Sequence, residues 1–373
     1  MLLKGLFWGS LGALAWTHAG YPLAAAALAR LRPRPVRTRG ITPDVTVIVP
    51  AHDEQDVIER RLDNLLALDY PPDRFSILIA SDASTDRTDQ LVEAAAAREP
   101  RVRLLRCPRG GKLAALNRAV ADTETEIVAF TDANATWEGD ALSKLVRNFA
   151  DPDVGYVCGQ LRLLAPDGTN REGLYWRYEM WLRESESALG SITGGNGSIY
   201  AVRRSDYVTH RFGHDLGLPD AMVKRGRRAV YEPEAVAWEP PPPNLEDEYG
   251  RKVRMFPWAW QHLFEGGMLR GVPPLYLAAL VSHRVLRYGS GALHVVLLAS
   301  SVALARNGPV YAGALAAQLA WLALAAAGRL RLPVPAAGLA YYYALVTWAT
   351  LVALGRYARH GVPPVWEKAA GTR

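Results

Sequence analysis

Short, continuously apolar segments alternate with helical patterns between residues 44 and 239. Strands that are apolar throughout belong to sheets covered on both faces, and alternation with helices favours parallel strands. The chain is therefore predicted to contain an α/β domain with a mostly parallel sheet. The predicted strands are residues 45–49, 77–80, 102–105 and 127–130, and the predicted helices are residues 56–68, 85–98 and 112–121.

Charge-free apolar segments lie on both sides of this domain. Residues 5–29 are long enough to cross a bilayer as a helix, which Gly20 and Pro22 are expected to kink. A cleaved signal peptide is the competing interpretation, but the apolar part is too long and the flanking charge follows it. Three further apolar segments cover residues 291–305, 310–328 and 333–355. The pattern predicts a membrane protein and leaves open how many late segments span and where the C-terminus lies.

The distribution of charge narrows the classes of partner. The 373 residues carry a formal net charge of +6 and only two cysteines, too few for a disulfide framework. Arginines gather at residues 30–39, directly after the first apolar segment, as is typical of the cytoplasmic side of a membrane. No basic helix with interleaved aromatics is present, so nucleic acid is not an expected partner. The arginine-rich composition suggests a bacterial inner-membrane protein, with its α/β domain in the cytoplasm.

A run of four prolines at residues 240–243 ends the α/β domain, because it can continue neither a helix nor a central strand. The residues after it mix aromatic, arginine and apolar residues, which favours helices lying in the headgroup region over an ordinary amphipathic subdomain. The predicted segments are a transmembrane helix (1–30), a basic cytoplasmic linker (31–43), the α/β domain (44–243), interfacial helices (244–290), C-terminal transmembrane segments (291–355) and a basic tail (356–373).

Acidic residues follow three of the predicted strands, at Asp53, Asp82 and Asp132. The carboxyl ends of parallel strands meet at one edge of the sheet, where ligands of such folds bind. Like charges gathered there predict a metal ion or a cationic ligand, although a helix cap is the alternative for any single one. Neither G-x-G-x-x-G nor a Walker A sequence occurs, so a bound diphosphate needs another counter-charge. Asp132 with a divalent cation, and Lys112 beside it, are the candidates.

Four motifs in this order resemble glycosyltransferase family 2, whose members have the GT-A fold. They are P-A-H-D-E at 50–54, S-D-A-S-T-D at 81–86, G-G-K-L-A-A-L-N at 110–117 and F-T-D-A-N at 130–134. H-D-L-G-L-P at 214–219 is similar to the family's D-x-x-L motif, and R-K-V-R-M at 251–255 resembles a degenerate Q-x-x-R-W motif of the membrane-bound cellulose, chitin and hyaluronan synthases. G-Y-P at 20–22 and V-W-E-K at 365–368 extend the resemblance over nearly the whole chain.

The resemblance implies a nucleotide-sugar-binding site. Asp53 and Asp82 match the positions that contact the uracil and the ribose, with Glu54 beside them, and Lys112 matches the diphosphate contact. Asp132 matches the first acid of the family's D-x-D motif. The remaining residues that the resemblance places at the donor are Asn134, which stands where many relatives have the second acid of the Mg²⁺ or Mn²⁺ site, and Arg251 and Arg254 near the leaving diphosphate.

The resemblance also implies residues on the acceptor side. Asp215 matches the catalytic base, and His214 replaces the acid that usually precedes it. Gly194, Gly195 and Asn196 match a loop that lines the acceptor, although a plain turn is the alternative.

The function implied is that of a membrane-embedded, metal-dependent, inverting glycosyltransferase. It would move a sugar from a nucleotide-diphosphate sugar, a UDP-sugar in the first place, to a growing polysaccharide or a lipid-linked glycan. Single addition to a polyprenyl phosphate or a glycolipid, and a non-catalytic glycan-binding or export subunit, remain open. Expected partners are the donor, the acceptor, membrane lipids and export or synthase subunits. The sequence does not determine the sugar, the linkage or the oligomeric state.

Overall fold

The computed structural model describes residues 1–163, 173–209, 211, 213–241 and 244–362. Contacts divide these residues into two compact units. A helical unit contains residues 1–24, 244–265 and 277–362, and a sheet unit contains residues 25–241 and 266–276. The last two prolines of the proline run and the V-W-E-K motif lie outside the described residues, and the finer division into six segments remains a prediction.

Eight strands form one mixed sheet in the described part of the chain, in the order β3-β2-β1-β4-β7-β6-β8-β5. The strands are β1 Val45–Ala51, β2 Phe75–Asp82, β3 Val102–Cys107, β4 Ile127–Phe130, β5 Thr136–Trp137, β6 Val154–Leu163, β7 Tyr200–Arg203 and β8 Arg228–Glu239. β1 to β4 are mutually parallel, and so are β6 and β8. β7 is antiparallel to β4 and β6, and β5 is antiparallel to β8. The predicted mostly parallel α/β sheet is confirmed.

Helices cover both faces of this sheet, and other helices form the helical unit. Val47 and Val49 of β1 belong to one buried hydrophobic cluster and Ile48 to another, so β1 is buried on both faces. The helices are α1 Leu2–Ala15, α2 Tyr21–Leu31, α3 Ile58–Leu66, α4 Thr88–Ala96, α5 Lys112–Ala121, α6 Ala141–Val146, α7 Leu174–Leu189, α8 His214–Lys224, α9 Leu245–Phe264, α10 Pro274–Ala279, α11 Leu286–Tyr288, α12 Ser290–Leu304, α13 Pro309–Arg329 and α14 Ala337–His360.

The predicted helix at residues 85–98 starts later than the pattern indicates, at Thr88. The Asp86 carboxylate accepts a hydrogen bond from the Thr88 N–H at 2.9 Å. Local bonds of this kind favour helix starts and turns over helix interiors. Residues 83–87 are therefore left as a loop at the carboxyl edge of the sheet.

Two described helices, α13 and α14, are long and apolar enough to cross a membrane. α10–α11 and α12, bent by 65° at their junction, pass the same test only as a pair. The N-terminal apolar segment is helical from α1 to α2 but contains a π-helical turn at Trp16–Gly20, at the predicted irregularity. A Cβ on Gly20 would lie 2.7 Å from the Trp16 ring, so this turn needs a glycine. These helices are consistent with membrane association.

Candidate active site

The carboxyl ends of β1, β2 and β4 lie side by side. The parallel register sets Ala51 opposite Ser81 and Ile48 opposite Phe130. The acidic residues that end or follow these strands therefore emerge at one edge, as the sequence predicts. Each of them has different contacts.

Asp53 joins the loop after β1 to the loop after β2. Its Oδ1 accepts hydrogen bonds from the Thr85 N–H at 2.6 Å and the Asp86 N–H at 3.3 Å. Burial acts to raise the pKa of Asp53, but the hydrogen bonds from Thr85 and Asp86, together with the neighbouring His52, outweigh it and the pKa is lowered. The backbone of Asp53 is left-handed, with φ of 54°, a conformation that these bonds help to hold. The next residue, Glu54, donates its N–H to Thr88 Oγ1 at 2.7 Å.

Asp82 holds the loop that precedes α5. Its side chain is 3% exposed and forms an ion pair with Arg109. The backbone N–H groups of Gly110 and Gly111 donate to its two oxygens at 2.7 and 2.9 Å. Lys112, the first residue of α5, follows this loop directly. Asp82 therefore positions Lys112, and its predicted contact with the nucleotide remains a prediction.

Lys112 and Asp132 form an ion pair at this edge. Burial acts to lower the pKa of Lys112, but the negative charge of Asp132 outweighs it, so the pKa is raised and the ammonium stays charged. The Asp132 side chain is 29% exposed. Asn134 lies two residues further on and has no side-chain hydrogen bond to the described residues.

A loop between α7 and β7 lies against this ion pair. A Cβ on Gly197 would be 3.2 Å from Lys112 Nζ and 3.5 Å from Asp132 Oδ2, so the backbone approaches the pair closely. Gly195, which follows the buried Gly194, donates its N–H to the Asp215 carbonyl at 2.6 Å. The loop therefore links the Lys112–Asp132 pair to the start of α8.

The buried side chain of Asn196 stabilises this loop through hydrogen bonds. Its amide nitrogen donates to the Gly159 carbonyl at 2.8 Å. Its Oδ1 accepts from the N–H groups of Ser198 and Ile199, both at 3.0 Å. The buried Asn196 side chain therefore forms its hydrogen bonds with backbone groups. The acceptor-side role predicted for Gly194, Gly195 and Asn196 remains a prediction.

Asp215 lies in the first turn of α8 and is half-buried. Its negative charge contributes to raising the pKa of Lys112, and its backbone carbonyl bonds the loop that lies against the ion pair. His214 before it is buried, with Tyr200 Oη 2.8 Å from its Nδ1 and Tyr207 Oη 3.0 Å from its Nε2. The Tyr207 hydroxyl donates to Asn117 of α5 at 2.6 Å. His214 thus fixes the start of α8 relative to α5.

Two charged residues at this edge, Arg61 and Glu239, lie outside the sequence motifs. Arg61 of α3 is 1% exposed and donates to Thr131 Oγ1, one residue before Asp132, at 2.6 Å. Burial lowers the pKa of Arg61 to about 9, against the opposing charges of Asp132 and Glu239. Glu239 ends β8 and accepts a hydrogen bond from Ser198. Arg61 was detectable from the sequence, because it shares a helix face with the apolar residues three before and four after it.

The oxygen atoms of Asp132 and Asn134 suit a hard divalent cation such as Mg²⁺ or Mn²⁺. No group of three or more His, Cys, Asp or Glu that could hold a metal occurs among the described residues. The residues present therefore fit a cation whose coordination is completed by phosphate oxygens of the substrate.

Arg251 and Arg254 lie on α9, in the helical unit. Arg251 donates to both Glu248 oxygens, at 2.8 and 3.2 Å. Their predicted place near the leaving diphosphate remains a prediction.

Comparisons with known proteins identify relatives of the domain that carries this edge of charged residues. Residues 46–211 match the family model described as Glycosyl transferase family 2. The mannosyltransferase PcManGT from Pyrobaculum calidifontis, solved in complex with GDP-Man and Mn²⁺, is 26% identical, with a TM-score of 0.73 over 96% of this chain and 99% of its own. The chain therefore contains a glycosyltransferase family 2 domain with the GT-A fold.

Curated relatives include a synthase of a glycolipid and a synthase of a polysaccharide. The β-monoglucosyldiacylglycerol synthase of Synechocystis sp. is 32% identical over 176 residues, which are 44% of this chain and 36% of the relative. The poly-β-1,6-N-acetyl-D-glucosamine synthase of Staphylococcus aureus is 25% identical over 225 residues, 56% of this chain and 53% of the relative. The chain thus spans about a third to a half of the length of these two relatives.

Proposed function

We propose that this chain is a membrane-embedded, metal-dependent, inverting glycosyltransferase that moves a sugar from a nucleotide-diphosphate sugar to a lipid-linked glycan or a growing polysaccharide. The observation that carries the proposal is the Lys112–Asp132 pair under the Gly197 backbone, with Asp215 near it. A cation, a carboxylate and a second carboxylate at one strand edge are the groups that glycosyl transfer requires. The solved relative with GDP-Man and Mn²⁺ supports a nucleotide-sugar donor and a divalent cation.

On the donor side, the leaving group is a diphosphate, whose negative charge grows as the glycosidic bond breaks. A divalent cation bound by Asp132 and Asn134 would supply Lewis acidity at the phosphate oxygens. Lys112 provides a second positive charge at the same place, and the raised pKa keeps it protonated at neutral pH. Asp82 keeps Lys112 in position through the loop that precedes α5.

On the acceptor side, the attacking hydroxyl must lose a proton as the new bond forms. Asp215 is the general base for this step. It has no side-chain hydrogen bond to the described residues, so its carboxylate remains available to an acceptor. The buried His214 orients the first turn of α8 through its tyrosine partners. One base on the acceptor side is the requirement of a single displacement, which inverts the anomeric centre.

The acceptor is proposed to reach the site from the membrane. The apolar helices α13 and α14 and the two synthase relatives support an acceptor at the bilayer. Single addition to a lipid acceptor is the second candidate. It is favoured by the small number of candidate spans in the described residues, two or at most three by length and composition, because a secreted polymer needs a path through the bilayer.

Labelled transfer in purified membranes tests the proposal. UDP-sugars and GDP-sugars are supplied in turn with Mn²⁺, Mg²⁺ or EDTA, and the products are separated into lipid extract and polymer. We expect transfer from one donor, only with a divalent cation, and the product fraction distinguishes the two acceptor classes.

Three variants assign the roles. Asp215→Asn should lower the transfer rate by roughly 10²- to 10⁴-fold, the usual loss for a general base, while nucleotide affinity stays near normal. Asp132→Ala should lose cation-dependent nucleotide binding as well as transfer. Asp73→Asn, at an 81% exposed carboxylate before β2 at the opposite edge, is the control. Near-normal transfer by Asp215→Asn, or equal nucleotide affinity in EDTA, would contradict the proposed mechanism.

A further inference from the structure

Glu239 lies at the turn that carries Asp132 and Asn134. It is the last residue of β8, and the antiparallel pairing with β5 sets Trp238 opposite Thr136. Extending this register by one residue sets Glu239 opposite residue 135, which directly follows Asn134. The backbone therefore brings the end of β8 to the predicted cation site.

The Glu239 side chain contacts the loop that lies against the ion pair. Ser198 Oγ donates a hydrogen bond to Glu239 Oε1. Ser198 directly follows Gly197, where a Cβ would be 3.2 Å from Lys112 Nζ and 3.5 Å from Asp132 Oδ2. The Glu239 carboxylate thus lies one residue along the loop from the contact with Lys112 and Asp132.

Glu239 and Asp132 both interact electrostatically with the buried guanidinium of Arg61. Asp132 and Glu239 both act to raise the pKa of Arg61, against the lowering effect of burial. Arg61 donates only to the uncharged Asn64 and Thr131, and its Nε has no hydrogen-bond partner in the described structure. A buried cation is costly without nearby negative charge, so Arg61 requires these carboxylates.

Glu232, seven residues earlier in β8, shows what a structural glutamate looks like in the same strand. It is buried, pairs with Arg147 at 3.0 Å and accepts from Asn148 at 2.9 Å. Glu239 instead lies among the groups of the proposed donor site. Both glutamates follow an aromatic residue and precede a proline in the sequence, but their contacts in the structure differ.

We propose that Glu239 provides the second carboxylate of the cation site, the negative charge that Asn134 does not carry. The ligand is a divalent cation, Mg²⁺ or Mn²⁺, bound together with a nucleoside diphosphate. Such cations are held by one or two carboxylates together with substrate phosphates. The inference rests on the function proposed above and adds one cation-binding residue to it.

Mn²⁺ binding tests the inference without measuring transfer. The full-length protein in detergent is saturated with UDP or GDP and titrated with Mn²⁺, and free Mn²⁺ is followed by electron paramagnetic resonance. Glu239→Gln should weaken Mn²⁺ binding by about 10- to 100-fold, the range found when groups supporting a metal site are removed. Glu234→Gln, at a 58% exposed glutamate of the same strand, should bind Mn²⁺ like the wild type.

Two further variants separate the charge from the loop contact. Ser198→Ala removes the hydrogen bond but keeps the carboxylate, so Mn²⁺ affinity should stay near that of the wild type. Asn134→Asp, placed in the Glu239→Gln protein, returns a negative charge to the same turn and should restore Mn²⁺ affinity. Thermal unfolding checks folding, and Glu239→Ala gives a second variant with the same expected loss.

The failures of this inference and of the proposed function differ. Unchanged Mn²⁺ affinity in Glu239→Gln would overturn the inference while leaving the cation site intact. Equal losses in Glu239→Gln and Ser198→Ala would overturn it in favour of a loop-anchoring glutamate. Absence of nucleotide-dependent Mn²⁺ binding by the wild-type protein would reject the metal dependence of the proposed function, and this inference with it.

Discussion

Single carboxylates at the strand edge make distinct contributions, and the charge of Asp53 stabilises the loop after β2. Its lowered pKa means that the ionised form is favoured by folding, through hydrogen bonds from Thr85 and Asp86. The stabilisation is present above the pKa of the unfolded carboxyl, about 3.9, and is lost as the pH falls through the lower pKa of the folded state.

Asp53→Asn should therefore lower the free energy of unfolding at pH 7, and the difference from wild type should shrink between pH 5 and pH 3. Urea midpoints of the detergent-solubilised protein across this range measure it. Asp73→Asn, whose carboxylate is 81% exposed, is the control that should show a smaller effect at pH 7. A difference that is the same at pH 7 and pH 3 would show that the charge of Asp53 does not contribute.

The placement of residues at strand ends could be predicted from the sequence, but their contacts could not. Continuous apolar strands determine which edge Asp53, Asp82 and Asp132 occupy. Whether a carboxylate bonds its own backbone depends on loops from elsewhere in the chain, as with Gly110 and Gly111 on Asp82. Such contacts leave no pattern in the local sequence.

At the scale of elements, the prediction succeeds for β1 to β4 and leaves out β5 to β8, although the buried residues of β6 and β7 are mostly apolar. β8 contains Arg228 and Glu232, both buried, and each is balanced by polar partners from distant segments. Charged residues interrupt the apolar residues of β8, so its sequence lacks the continuous apolar pattern of a core strand. β5 has only two residues, Thr136 and Trp137, which is too short for any periodicity.

The loop between α7 and β7 depends on a close backbone approach at Gly195. A Cβ there would be 2.0 Å from Tyr156 Oη, with the ring carbon that bears the hydroxyl at 3.1 Å. Gly195→Ala should destabilise the protein by about 1–3 kcal/mol, the usual cost of overpacking. Tyr156→Phe removes the nearest atom, so the double variant should recover part of the loss.

Thermal unfolding of the four proteins in this cycle measures the coupling. Gly139→Ala is the matched control, because no atom lies within 4 Å of a Cβ there. If Gly195→Ala is as stable as Gly139→Ala, or if Tyr156→Phe gives no recovery, the steric explanation is wrong.

At the scale of the whole molecule, polar contacts inside the helical unit join helices that are far apart in sequence. Tyr343 Oη of α14 lies 3.0 Å from His18 Nε2 and 2.8 Å from His294 Nε2. Thr17 Oγ1 donates to the Ser282 carbonyl at 2.6 Å. Polar side chains among these apolar helices are satisfied by partners on neighbouring helices. The sequence indicates these histidines as costly in an apolar segment but does not identify their partners.

The proposed orientation of the chain in the membrane gives the last prediction. Arginines at residues 30–39 follow the N-terminal apolar helices, so the sheet unit is expected in the cytoplasm, where nucleotide sugars are made available. Both native cysteines, Cys107 and Cys158, are buried, which leaves the wild type a low background for thiol labelling. Asp73→Cys places one thiol at a position with an 81% exposed side chain in the sheet unit.

A membrane-impermeant maleimide applied to spheroplasts should leave this thiol unlabelled, and the same reagent applied after lysis should label it. The reason is that the bilayer separates the reagent from a cytoplasmic domain. The wild-type protein, treated identically, reports any labelling of the buried cysteines. Labelling of Asp73→Cys in sealed spheroplasts would place the sheet unit outside, and would then require a donor other than a cytoplasmic nucleotide sugar.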